Sequence, residues 1–141
     1  MINIRNMELS DIDKAAKIFE DSFNSVGEMW NFPTCIERIK QYYTRKSCWV
    51  AEINNKIVGF LTSKEDNVVD HKELYIDVIA VDPQTHKQGI GRVLIKTAES
   101  YAKAQGYTAI WLSASTDLFS YNWYIKDGFK QTKWSALVKE I

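Results

Sequence analysis

The apolar positions change period repeatedly along the chain, and each change marks an element. Ile2 and Ile4 alternate with polar neighbours, the period-two signature of a short strand. From Ser10 the spacing becomes helical: Ile12, Ala15, Ala16, Phe19 and Phe23 form one stripe, with Ser10 placed to cap and acids in the first turn. The segment 24–32 has no period and reads as a loop. Pro33 opens a second helix with Ile36, Ile39 and Tyr43 on its apolar face. Strands over 48–53 and 56–63 follow, joined at Asn54-Asn55, a dipeptide that tolerates the positive φ of a primed turn. The polar stretch 64–72 reads as a connection into a strongly apolar strand, Leu74 to Val81. Ile90, Leu94, Ala98 and Tyr101 then share one helix face, and Gly106 terminates that helix. A strand at 108–112 and a helix at 117–126, ended by Gly128, complete the pattern; 129–141 is expected to supply one or two closing strands. Hairpins first and a βαβ crossover later predict an α/β fold with a mixed sheet and helices packed on it.

Composition narrows the function classes. A chain of 141 residues with 45% hydrophobic and 26% charged side chains fits one domain, 1–141. Eighteen basic and eighteen acidic residues cancel, so neither a nucleic-acid groove nor an anionic membrane is favoured as partner. Cys35 and Cys48 show no metal-type spacing and read as free thiols. No apolar run reaches membrane-spanning length, and a cytoplasmic location is expected.

The chemistry concentrates after the apolar strand, where Val81-Asp82-Pro83 leads to His86-Lys87-Gln88-Gly89-Ile90-Gly91-Arg92 at a helix start. Converging backbone N–H groups and the helix dipole make an anion site there, and glycine lets the backbone approach a phosphate closely. A P-loop requires Lys-Ser/Thr after its last glycine, where this chain has Arg92-Val93. A dinucleotide fingerprint requires a third small residue where Leu94 stands.

With this order of elements, the chain resembles the GNAT superfamily of acyl-CoA-dependent N-acetyltransferases over essentially its full length. The family's (Arg/Gln)-x-x-Gly-x-(Gly/Ala) signature after Val-x-Pro is matched by 81–91. Its C-terminal signature falls on Asp117, Ser120, Trp123, Tyr124, Gly128 and Phe129. His86, Lys87, Asp117 and Ser120 depart from the usual residues, and Asp117 is also placed to cap the last helix.

The resemblance implies a GNAT-type fold: a central mixed, mostly antiparallel sheet, helices on both faces, and a splayed strand pair that binds acyl-CoA. It implies acetyl-CoA as donor, no metal, and direct attack by a primary amine. Ile79, Ala80 and Val81 would form the edge that pairs with pantetheine, with a main-chain N–H of Ile79 or Ala80 as oxyanion donor. His86, Lys87, Gln88, Gly89, Ile90, Gly91 and Arg92 would hold the pyrophosphate, with Asp117 and Ser120 near the cofactor. Tyr124 would protonate the departing thiolate. Asp77, the odd acid in the apolar strand, is a candidate base, a cation ligand or a structural acceptor. Trp30 and Tyr75 would wall the amine pocket, whereas Phe32 reads as core. The family often dimerises, so a homodimer is compatible. A non-catalytic acyl-CoA-binding sensor is the alternative, and the two separate at Tyr124.

Overall fold

A computed structural model describes residues 1–85 and 88–141. His86 and Lys87, assigned above to the phosphate loop, lie outside the described residues. The element order is β1 (Asn3–Asn6), α1 (Ile12–Asn24), α2 (Phe32–Tyr42), β2 (Trp49–Ile53), β3 (Lys56–Val68), β4 (His71–Val81), α3 (Ile90–Gln105), β5 (Ile110–Trp111) and α4 (Phe119–Lys126). The five strands form one sheet in the order β1-β2-β3-β4-β5. The first three pairings are antiparallel and β4/β5 is parallel. This is an α/β fold with a mixed, mostly antiparallel sheet, the architecture that the resemblance implies.

Two apolar cores flank the sheet. On one face α1 and α2 bury Ile12, Phe19, Cys35 and Ile39 against Val50, Phe60, Val78 and Ala80. On the other, α3 buries Ile90, Leu94, Ile95 and Ala98 against Trp49, Leu61, Leu74 and Ile76. Gly59 permits the close approach of α3: a Cβ there would stand 3.0 Å from Ile90 Cγ2 and 3.1 Å from the Ala80 carbonyl. The primed turn appears as predicted, with Asn54 at φ 52° and Asn55 at φ 63°.

Several expectations shift. Asp11, not Ser10, holds the N-cap position of α1 without a side-chain bond to the helix; its carboxylate accepts from the Glu8 N–H at 2.8 Å and from both terminal nitrogens of the Arg5 guanidinium. That arginine holds the Asp11 carboxyl below its ordinary range. The polar stretch 64–72 belongs to the sheet, because β3 runs on to Val68 and pairs with β4 from His71 onward. Its polar side chains project on an exposed hairpin and need no buried face. β5 is shorter than the 108–112 strand. Leu118 is the N-cap of α4, which begins at Phe119, and Asp117 accepts no cap bond. No strand forms after α4 among the described residues; Trp134, Leu137 and Val138 are exposed, since no neighbouring strand supplies the partners that alternating residues require.

Candidate active site

The site grows from an irregularity in β4. Thr62 pairs with Val78 and Ser63 with Ile76, so Asp77 is an extra residue, a β-bulge. Leu74 and Ile76 face the α3 core, whereas Val78 and Ala80 face the α1/α2 core. Asp77 and Val78 therefore leave the sheet on the same side. Beyond the bulge, Ile79 and Val81 turn toward the α3 side, where they pack partly buried with Trp123, Tyr124 and Phe129.

The outer edge of β4 opens at the same place. Leu74 pairs with Ile110 and Tyr75 with Trp111, and the ladder stops there. Val78 N–H donates to Thr62 Oγ1 on β3 at 3.2 Å, and Asp82 N–H donates to the Val58 carbonyl at 2.8 Å. Successive N–H groups alternate across a strand. Ala80 N–H thus faces β3 as well, and the groups of Ile79 and Val81 face the unpaired edge. Of the two N–H groups expected as oxyanion donors, that of Ile79 faces the outer edge and that of Ala80 faces β3.

At the far end of that edge α3 starts. Gly89 is its N-cap at φ 74°, a left-handed conformation suited to glycine. The first backbone bond of the helix runs from Val93 N–H to the Gly89 carbonyl at 3.1 Å. The N–H groups of Ile90, Gly91 and Arg92 precede it and have no helical acceptor. Ile90 is buried under the sheet, while Gln88 and Arg92 are exposed. Arg92 reaches Asp127, the C-cap of α4, at 3.6 Å. Asp117 and Ser120 are exposed on the neighbouring segment.

Asp77 has a partner that the sequence reading missed. Arg38 of α2 grips it side-on, Nε to Oδ2 at 2.8 Å and Nη2 to Oδ1 at 2.7 Å. Tyr75 hydroxyl adds a third bond to Oδ1 at 2.9 Å. The carboxylate is fully buried, and the guanidinium also lies over the Tyr42 ring, 5.1 Å from its centroid. Of the three roles expected for Asp77, the three bonds and full burial of this carboxylate match the structural acceptor. The readable signal was a lone acid inside an apolar strand, which must find a buried cation, together with Arg38 four residues before Tyr42 on one helix face. Burial and the Asp77 bond push the Tyr75 phenol up to about 12.

Tyr124 lies on the opposite side of the sheet from Asp77, packed edge-on to Trp123 and Phe129. Burial pushes its phenol up to about 12, so it stays protonated across the physiological range. Its hydroxyl forms no hydrogen bond among the described residues.

Trp30 and Tyr75 are not brought together. Trp30 packs on Phe19 and Phe23, bonds Glu28 through its indole N–H, and lines a cleft of about 270 Å³ with Met29 and Thr34. Tyr75 lines a different cleft of about 390 Å³ with Tyr42, Lys64, Glu65, Asp66 and Trp111, where the β4/β5 ladder ends. Phe32 packs against the α1/α2 core, as expected. Both cysteines are buried free thiols, and burial pushes Cys35 up to about 11, which removes it as a nucleophile. Among the described residues no acid–histidine–cysteine cluster suits a metal, and no helix is long and apolar enough to cross a membrane.

The strand edge thus opens at a bulge and leads to a helix start whose first amides have no helical acceptor. The model of the Acetyltransferase (GNAT) family matches residues 12–129, and the chain belongs to that family. Human N-acetyltransferase 8 is 35% identical over 92 residues, which are 62% of this chain and 40% of that protein. The match thus spans well under half the length of that relative. Among solved structures, a predicted acetyltransferase from Clostridium acetobutylicum with acetyl-CoA superposes at a TM-score of 0.80 and 21% identity, covering 98% of this chain and 96% of the other. An aminoglycoside acetyltransferase from an uncultured soil metagenomic sample, in complex with sisomicin, gives 0.75 at 21% identity, covering 99% and 95%.

Proposed function

We propose that the protein transfers an acetyl group from acetyl-CoA to a primary amine, by direct attack with both substrates bound. The observation that carries this reading is the free edge of β4 beyond Tyr75, with Ile79 and Val81 N–H directed outward and the α3 amides at its end. Pantetheine would add to that edge as a strand adds to a sheet. The amides of Ile90, Gly91 and Arg92 suit a pyrophosphate, and Gln88, Gly89, Asp117 and Ser120 would border it. His86 and Lys87 would complete that loop. Acetyl-CoA would supply the activated thioester, and the acetyltransferase with acetyl-CoA bound shares this fold.

Ile79 N–H would donate to the carbonyl oxygen and to the oxyanion that replaces it as the amine adds. The adding nitrogen would release one N–H proton to water, expulsion of the thiolate would then form the amide, and Tyr124 would give its proton to the sulfur and take one back from solvent. A phenol near 12 facing a thiol near 8.5 makes that transfer uphill by about 3.5 units, roughly 5 kcal/mol, unless thiolate and phenol share the proton during C–S cleavage. Asp77, locked by Arg38, would hold Tyr75 and the α2 wall in place, and the amine would arrive already neutral or lose its proton through water. Holding both reactants against one strand edge supplies the proximity term.

Calorimetric titration with acetyl-CoA, with CoA and ATP as controls, followed by an amine screen for thiol release, tests the proposal. Micromolar binding specific to the two CoA species and amine-dependent thiol release are expected; no binding would end it. The full engagement of Asp77 also suits a non-catalytic acyl-CoA sensor. Tyr124→Phe separates the two, because a sensor should keep its response.

A further inference from the structure

Thr62 stands at the register shift between β3 and β4, opposite Val78, and is fully buried. Phe60 and Ala80 pair on the α1/α2 face and Leu61 turns to the α3 face, so alternation puts Thr62 on the α1/α2 face beside Val78. Valine would fill that place without a hydroxyl to satisfy, and a buried hydroxyl costs stability unless it is bonded. Here Thr62 Oγ1 accepts the Val78 N–H at 3.2 Å, a side-chain bond within a backbone ladder. The next residue of β3 is tied down as well. Ser63 Oγ donates to the Ser47 carbonyl, and Ser47 Oγ donates to the Ser63 carbonyl at 2.8 Å, both residues being buried. This reciprocal clasp holds β3 to the chain ahead of β2, which makes Thr62 a fixed post. Asp77, which precedes Val78, is held separately by Arg38 and Tyr75.

We infer that Thr62 is a positioning residue for the donor: by holding the Val78 N–H toward β3, its hydroxyl keeps the Ile79 N–H aimed at the open edge, where the thioester carbonyl is polarised. The inference rests on the acetyl-transfer reading for the ligand and for the role of Ile79. An extra residue bends a strand and disrupts its ladder locally, so the direction of the next amides needs a separate constraint. The bond to Thr62 fixes the plane of the 77–78 peptide, and in an extended strand the following N–H points the opposite way. Oxyanion stabilisation depends on a donor held in place before charge develops, so a small rotation here would cost more in catalysis than in stability. Thr62 is buried and acts only through Val78.

The test compares Thr62→Val, which keeps the shape and removes the acceptor, with Thr62→Ser, which keeps the hydroxyl. Calorimetry of the intact protein with acetyl-CoA and with CoA gives the first readout, since only acetyl-CoA carries the carbonyl. Thr62→Val should weaken acetyl-CoA about fivefold, the factor that one ordinary hydrogen bond supplies, and leave CoA unchanged. Infrared spectra of bound acetyl-CoA, isotopically labelled at the acetyl carbonyl, give the second. The carbonyl stretch should rise in frequency in Thr62→Val and stay at the parental position in Thr62→Ser. If Thr62→Val does not fold, Thr62→Cys, whose thiol is a weak acceptor in a similar volume, takes its place with the same expectation. Three results overturn the assignment and leave the transfer reading intact: parental affinity and carbonyl frequency without the hydroxyl, equal losses in Thr62→Ser and Thr62→Val, or CoA weakened as much as acetyl-CoA. A parent protein that binds neither CoA species sinks the transfer reading, and the assignment with it.

Discussion

Removing the Arg38 guanidinium should strand Asp77. The carboxylate is fully buried and holds two charge-assisted bonds of 2.8 and 2.7 Å to Arg38, leaving only the Tyr75 hydroxyl if they go. Breaking a buried pair from one side costs about 3–5 kcal/mol. The Arg38 side chain is 37% exposed, so water can enter the vacated position and the cost falls to the bottom of that range or just below it, about 2–3 kcal/mol. Arg38→Met keeps the aliphatic stem against the Tyr42 ring and deletes only the charge. At about 3–4 °C per kcal/mol for a chain of this size, Tm should fall by roughly 6–12 °C. Urea unfolding and scanning calorimetry read both quantities. Adding Asp77→Asn to that variant replaces the stranded charge by a neutral amide and should return about half of the loss or more, a coupling that a double-mutant cycle isolates. If Arg38→Met unfolds within about 0.5 kcal/mol of the parent, the pair does not secure the α2 wall and the anchoring role of Asp77 falls.

Other substitutions probe the donor side and the remaining buried charge. Gly59→Ala should cost about 1–3 kcal/mol and weaken acetyl-CoA binding, because the new methyl meets Ile90 Cγ2 at 3.0 Å and must push α3 outward; unchanged affinity by calorimetry would separate α3 from the cofactor. Tyr124→Phe should lower kcat about a hundredfold with little change in KM for acetyl-CoA. Since the reaction needs the protonated phenol, that contribution is lost only as pH rises through about 12, and a pH–rate profile should show no Tyr124-dependent fall below pH 10. Asp11 contributes stability that is fully present above its ordinary value of 3.8 and lost as pH falls through its lowered folded value. Asp11→Asn should therefore narrow the stability gap to the parent at low pH, as read by urea midpoints across an acid series.

Much of the frame was legible because local chemistry and global fold agree. Asn54-Asn55 can turn a hairpin, Pro33 can open a helix behind the Asn31 cap, and Gly89 and Gly106 take the left-handed positions at the two ends of α3. The phosphate loop was legible as a motif, with the direction of its amides following from the helix. Arg38 was legible only in part: the lone acid in the apolar strand demanded a cation, but a pair 39 residues apart leaves no local pattern that says which one. The 64–72 stretch misled because a two-stranded hairpin in solvent has no apolar face to advertise it. The Tyr42–Tyr75–Trp111 cleft assembles from three separate elements, so only the folded chain shows it.

Leu74, Ile76, Val78 and Ala80 look in the sequence like one uninterrupted face, yet two of them serve one core and two serve the other. If Asp77 were struck out, Ile76 would directly precede Val78, the strand would alternate normally, and every remaining side chain would already be on its present side. Asp77 is thus supernumerary to the arithmetic of the sheet: an insertion that the hydrophobic pattern neither requires nor resists. The fold is free to carry a charge at that point because no core position had to be surrendered for it.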